Sequence, residues 1–248
     1  MTDAKPTVLP DRQAELAAGL AQVQARIADA CALAGRARSE VTMVAVTKTY
    51  PASDVLALAG LGVTEVGENR DQEAAGKAAE VAAAGARPRW HFIGQLQRNK
   101  CRSVVRYADV VQSVDSARLA RALGAAAVAG RDRPVDALIQ VSIDGDPTRG
   151  GALPGSADPD AGLHPVAEAV ARAEGLRLAG LMAVAPLGWE PERAFARLAE
   201  VAREFRAAHP EAVMLSAGMS GDLETAIGYG ATHVRVGSAL LGMRSTLR

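Results

Sequence analysis

Charge of one sign is the first thing this 248-residue chain lacks, since 28 basic side chains face 28 acidic ones. A formal charge of zero removes the electrostatic footprint that sequence-independent binding to nucleic-acid phosphates or to anionic lipid requires, so neither is expected as a partner. Cysteine is nearly absent. Cys31 and Cys101 stand 70 positions apart with no C-x-x-C spacing and no histidine at metal-ligand distance in sequence, so reduced thiols and no metal site are expected. No run approaches the roughly 20 apolar residues of a membrane-spanning helix. The start of the chain, with Asp3, Lys5 and two prolines before Asp11, holds no apolar core of signal-peptide length. The expectation is a cytoplasmic protein with a flexible tail over residues 1–10 and a folded unit over 11–248.

What is present is a globular composition, 49% hydrophobic with only eight aromatics. Short runs rich in Val and Ile alternate with longer Ala/Arg/Glu segments of helical period, the pattern of a parallel sheet with crossover helices. Strands are expected at Val41–Val46, Val63–Val66, Trp90–Gly94, Asp109–Val114, Val135–Ile143, Leu178–Ala185, Val213–Ala217 and Thr232–Gly237. Helices are expected at Ala52–Leu61, Arg70–Ala84, Arg98–Arg106, Ser116–Ala129, Leu163–Glu174, Pro191–Ala208 and Gly221–Tyr229, with a last one from Leu240 onward. A longer helix, Arg12–Ala34, precedes the first strand and stops at Gly35. Eight strands in this alternation, at a length close to the roughly 250 residues typical of the fold, predict a single α/β (β/α)8 TIM-type barrel with an extra N-terminal helix. An open doubly wound sheet is the alternative, but no G-x-G-x-x-G follows the first strand. The segment Asp144–Gly162 is dense in Gly, Pro and Asp. It reads as a moving loop, either a surface insertion or a lid.

Barrel chemistry sits at the C-terminal ends of strands, and polar residues cluster there. Strand one ends Val44-Ala45-Val46-Thr47-Lys48, strand two ends Gly67-Glu68-Asn69, strand seven runs into Ser216-Ala217-Gly218-Met219-Ser220-Gly221, and strand eight reads Val234-Arg235-Val236-Gly237-Ser238. Closure places Lys48 and Arg235 on neighbouring strands. Alternation puts Lys48 on the face of Val44 and Val46, where desolvation and the Arg235 guanidinium would lower its proton affinity from about 10.4 and expose an amine able to condense with an aldehyde. The alternative is an ion-paired lysine at a strand end. Ser220, at the expected N-cap of the helix from Gly221, and Gly237-Ser238 match the phosphate site of barrels, although each singly also reads as a cap or a turn. His91 and His233 read as hydrogen-bonded core histidines, with His91 an acid or base only if it points to the site. Glu68 reads as a general base or as an ion-pair partner of Lys48 or Arg70.

A lysine aldehyde trap beside a phosphate cradle fits pyridoxal 5'-phosphate, and the residues that carry it resemble the pyridoxal phosphate homeostasis protein family. The matching segments are V-A-V-T-K at 44–48, G-E-N at 67–69 with Gln72-Glu73, W-H-F-I-G-Q-L-Q-R-N-K at 90–100, G-L-M-A at 180–183, S-A-G-M-S-G-D at 216–222 and V-R-V-G-S at 234–238. The resemblance implies a barrel similar to the N-terminal domain of alanine racemase, with the cofactor held as an aldimine on Lys48. It implies Arg235 facing the pyridine nitrogen, Ser216, Ser220, Gly237 and Ser238 on the phosphate, Asn69 lining the pocket and Met219 packed against it. The family often has tyrosine where Arg70 stands, methionine at Ala217 and threonine at Ser238. An arginine opposite the pyridine nitrogen keeps that nitrogen unprotonated and blunts the ring as an electron sink. The role implied is a monomeric carrier or buffer of the cofactor that passes it to apo enzymes and turns over no substrate. Two alternatives remain: a weak amino-acid racemase or lyase with His91 or a residue of the 144–162 loop as second base, and a phosphosugar-binding barrel in which Lys48 is only an electrostatic clamp.

Overall fold

Each apolar run is followed by a helix, and the alternation closes on itself. The computed structural model describes residues 10–146 and 150–242. In chain order the elements are α1 (Pro10–Leu33), β1 (Thr42–Val46), α2 (Ala52–Gly60), β2 (Glu65–Glu68), α3 (Asp71–Ala83), β3 (Arg89–Phe92), α4 (Cys101–Val104), β4 (Val110–Val114), α5 (Ala117–Gly130), β5 (Val135–Gln140), α6 (Leu163–Ala171), β6 (Leu176–Met182), α7 (Pro191–Ala208), β7 (Met214–Ser216), α8 (Leu223–Gly228), β8 (His233–Val236) and α9 (Ser238–Leu241). The eight parallel strands form a closed barrel in sequence order, sealed by β1 against β8 with Val44 opposite Arg235. The extra helix α1 lies across α2, α8 and α9, over the seam where β8 meets β1. Its stripe of Leu16, Leu20, Val23 and Ile27 is buried with Ala45, Val66 and Val236 from the outer face of the barrel.

The expected elements are all present, with shifts that have physical causes. Strand two begins at Glu65 and extends to Glu68, because Glu65 and Glu68 find partners inside and outside the barrel instead of in solvent. The helix expected over Arg98–Arg106 shrinks to a 3-10 turn at Arg98–Lys100 and one α-turn, α4. The helix expected from Gly221 starts at Leu223 with Asp222 at the N-cap, so Ser220 is not its cap. Helix α1 reaches back to Pro10, and the rest of the expected tail, 1–9, lies outside the described residues. The final helix starts at Ser238, earlier than expected, and residues 243–248 also lie outside the description.

The 144–162 segment is bound to the barrel where it is described, with 147–149 outside the description. Val141 bridges Ala152 and Leu153 bridges Gly162. The Asp158 carboxylate accepts the amides of Asp160 and Ala161, each at 2.8 Å, and Asp160 accepts the amide of Arg118 at the start of α5. Ala152 is fully buried. These bonds set residues 158–161 against the start of α5.

The barrel interior is polar through much of its length. Arg235 donates to Ser216 Oγ at 2.9 Å, Ser216 donates to Gln112 Oε1 at 2.7 Å, and Gln112 Nε2 donates to His91 Nδ1 at 2.7 Å. That direction leaves the His91 proton on Nε2, which donates to Glu65. Burial holds the His91 imidazole below its ordinary value, against the pull of Glu65, so the chain of bonds runs from a guanidinium through neutral groups to a carboxylate. His91 and His233 are core histidines as expected, the second within 2.9 Å of Thr232 Oγ1.

Candidate functional site

Lys48 follows β1 by two residues and stands exposed at the C-terminal rim of the barrel, not on the apolar wall expected from strand alternation. The alternation ends because β1 ends. Val46 and Thr47 are the last buried residues, and Thr49 adopts φ 68°, turning the chain outward. A β-branched residue in the left-handed region is strained, and such strain persists only where surrounding bonds enforce it. Here the enforcement is visible. Glu73 Oε1 accepts the Thr49 amide at 2.7 Å, Lys77 Nζ donates to the Thr47 carbonyl at 2.8 Å, and Thr47 Oγ1 donates to Glu68 Oε1 at 2.6 Å.

Lys77 and Glu68 are themselves an ion pair at 2.6 Å, both buried between β2 and α3. Burial raises the Glu68 carboxyl above its ordinary value, the Lys77 and Thr47 bonds opposing it. Glu68 therefore pairs with Lys77, not with Lys48 or Arg70, and sits behind the rim instead of at it. Residues on α3 thus grip the backbone on both sides of Lys48. The sequence signal for this was the four-residue spacing of Glu73 and Lys77 on one helix face, directly after G-E-N.

Asn69, half-buried after β2, lines a cavity of about 510 Å³ together with Arg70, Phe92, Gln95 and Lys100. This cavity opens on the β2–β3 side of Lys48. The Gly94 of the W-H-F-I-G segment explains how the two loops meet, because a Cβ there would come within 2.1 Å of the Asn69 carbonyl oxygen.

On the other side of Lys48 lie the ends of β7 and β8. Arg235 is 4% exposed and its guanidinium donates to Ser216 and, at 2.9 Å, to the Ala183 carbonyl. It bonds to no carboxylate among the described residues, and burial pulls it down to about 10, Asp222 acting weakly in the other direction. A cation so placed has spare donor capacity and no hydrogen-bonded carboxylate among the described residues. Ser216, expected on a phosphate, is fully buried, its hydroxyl donating to Gln112 and accepting from Arg235. Ser220 is half-buried and its Oγ accepts the Ala239 amide at 3.3 Å, which joins the loop after β7 to the Gly237-Ser238 turn. Met219 is 41% exposed beside them, while its amide donates to Asp222. The rim therefore gathers Lys48, Asn69, Ser220, Gly237 and Ser238 around the mouth, with Arg235 beneath.

Among the described residues no group of His, Cys, Asp and Glu could hold a metal ion, and no helix is long and apolar enough to cross a membrane.

Residues 20–245 match the family model described as alanine racemase, N-terminal domain. The chain is 44% identical, over 95% of both lengths, to the pyridoxal phosphate homeostasis protein of Mycobacterium tuberculosis. Among solved structures it is similar to PipY of Synechococcus elongatus with PLP bound, at 34% identity and TM-score 0.71, covering 87% of this chain and all of that one. Alanine racemase from Corynebacterium glutamicum, at 16% identity and TM-score 0.63 over 95% of this chain and 63% of that one, shares the fold. By its matching segments and near-complete coverage, the chain belongs to the pyridoxal phosphate homeostasis protein family of alanine racemase N-terminal domain barrels.

Proposed function

We propose that this protein carries or buffers pyridoxal 5'-phosphate, holding it at the rim on Lys48. The observation that carries the reading is the pairing of an exposed amine at the end of β1 with a buried arginine, hydrogen-bonded to no carboxylate among the described residues, on the adjoining strand β8. The residues fit the cofactor on each of its sides. The Lys48 amine meets the aldehyde, the hydroxyls of Ser220 and Ser238 and the backbone of Gly237 meet the phosphate, and Arg235 meets the ring nitrogen. Asn69 borders the space next to Lys48, and Met219 offers an apolar edge. When bound, the cofactor supplies an aldehyde that a lysine amine can attach covalently.

The chain's own residues favour holding over turnover. Arg235, even brought down to about 10, remains a cation near neutral pH and presents N–H donors, which suit an unprotonated ring nitrogen and disfavour carbanion chemistry. The racemase alternative needs a second base, and its candidate, His91, is fully buried with both ring nitrogens bonded. In the 144–162 loop, Asp158 and Asp160 are committed to backbone amides. Relatives named as homeostasis proteins, and PipY with PLP bound, support the carrier reading. The protein acts in this reading as a cytoplasmic monomer that passes the cofactor to apo enzymes. The test is α-hydrogen exchange of amino acids in deuterium oxide over cofactor-loaded protein. A carrier gives exchange no faster than the free cofactor. Exchange at catalytic rates replaces this reading with the racemase.

A further inference from the structure

At the end of the barrel opposite Lys48, around the starts of β3 to β6, lies a groove of about 1530 Å³. Its origin is the shortness of α4. One turn of four residues stands between the thirteen residues of α3 and the fourteen of α5, so the helical layer is thin there. One wall is left as a helix face of Ala75, Ala79 and Ala82, none of them fully buried, and the floor is the perpendicular ring pair of Trp90 and Tyr107.

The charge of this groove departs from that of the neutral chain. Six arginines line it against three aspartates. Asp109 is shared by Arg131 at 3.2 Å and Arg133 at 3.0 Å, and Asp136 is shared by Arg89 and Arg177. Arg106 meets no carboxylate among the described residues, and Arg87 donates only to the backbone carbonyls of Ala82 and Ala86. Positive charge is left over at the rim while the wall is apolar.

We propose that this groove docks an acidic, amphipathic helical segment of a partner protein, its carboxylates on Arg106 and Arg87 and its apolar side on the alanine face of α3. The spacing of Ala75, Ala79 and Ala82 is that of a helix packing face, and small residues admit a close helix approach. Residues 1–9 and 243–248 do not supply the charge: the first hold Asp3 balanced by Lys5, and the second hold two arginines and no acid. A single-stranded nucleic acid is the poorer match, since Trp90 is 6% exposed and offers no open face for stacking. The proposal does not depend on the cofactor reading, because the groove and the rim lie at opposite ends of the barrel.

The experiment is fluorescence anisotropy with a labelled peptide of about four helical turns, glutamates on one face and leucine and alanine on the other. It is run on the full chain and on the Arg106→Glu/Arg87→Glu variant, two exposed positions remote from Lys48. Saturable binding to the wild type is expected, weaker by about tenfold or more in the variant and weakened by salt, with no binding of the same peptide carrying glutamine for glutamate. Far-ultraviolet circular dichroism confirms that the variant is folded. The proposal is overturned if the glutamine peptide binds equally well, if charge reversal leaves affinity within about twofold, or if the peptide does not bind at all. Tighter binding of a single-stranded oligonucleotide overturns it too, as does self-association of the chain that the variant abolishes.

Discussion

At the scale of single residues, the buried pair Lys77–Glu68 and the exposed Lys48 make opposite predictions. Lys77→Met strips a fully buried carboxylate of its cation and frees the Thr47 carbonyl, so it should cost about 3–5 kcal/mol in urea unfolding. Lys48→Ala removes a solvent-exposed side chain and should stay within about 0.5 kcal/mol of the wild type. If the two variants were equally unstable, the clamp described above would be wrong. That Lys48 and Arg235 stand on adjoining strands, β1 end beside β8, was legible from strand count and closure. The Glu68 partner was not, because strand alternation says nothing of a helix side chain nine residues on that folds back over the strand end.

His233 gives the pH dependence at this scale. Burial first, then the neighbouring His91, pushes it down to about 4, against Glu65 and with Arg89. The unfolded chain titrates this group near 6.5 and so takes up protons first as pH falls. The stability from the neutral folded imidazole is complete above about pH 6.5 and is lost as pH drops toward about 4, up to about 3 kcal/mol. Urea midpoints between about pH 7 and pH 4.5 should fall, and more gently in His233→Gln. A slope identical in that variant would show that His233 is not the group responsible.

At the scale of elements, the strands were legible because each is an apolar run bounded by turn residues, and their count of eight carried the closure. Boundaries moved wherever a polar residue found a buried partner. Within the Asp144–Gly162 segment the turns over 158–161 follow from its aspartates, since Asp158 accepts neighbouring amides. The shortness of α4 was hidden, since Arg98–Arg106 has helical composition but ends against Tyr107 and Ala108 as the chain turns into β4. Gly94 tests how elements meet at the rim. Gly94→Ala places a methyl against the Asn69 carbonyl, which is backbone and cannot swing aside. The loop after β2 must move, so the variant should lose about 1–3 kcal/mol of stability and bind the cofactor more weakly. A variant with wild-type melting and wild-type loading would contradict the tight contact between these loops.

At the scale of the whole molecule, closure makes the site. Lys48 and Arg235 are 187 positions apart in sequence and become neighbours only because β8 pairs with β1. The α1 helix covers that seam, so the extra N-terminal element stabilises the junction on which the rim depends. The polar chain from Arg235 through Ser216, Gln112 and His91 to Glu65 was invisible in sequence, because it joins side chains of five strands that only the closed barrel brings face to face.

The central claim is that Lys48 anchors the cofactor, and the chain makes it unusually easy to test, since it holds four lysines: Lys5, Lys48, Lys77 and Lys100. The measurement is borohydride reduction of protein incubated with pyridoxal 5'-phosphate, followed by peptide mapping by mass. With Lys48 as the anchor, the reduced pyridoxyl phosphate group is expected on the Lys48 peptide and is lost in a folded Lys48→Ala variant. A label on Lys100 or Lys5 instead, or no stable label on any lysine, would contradict it.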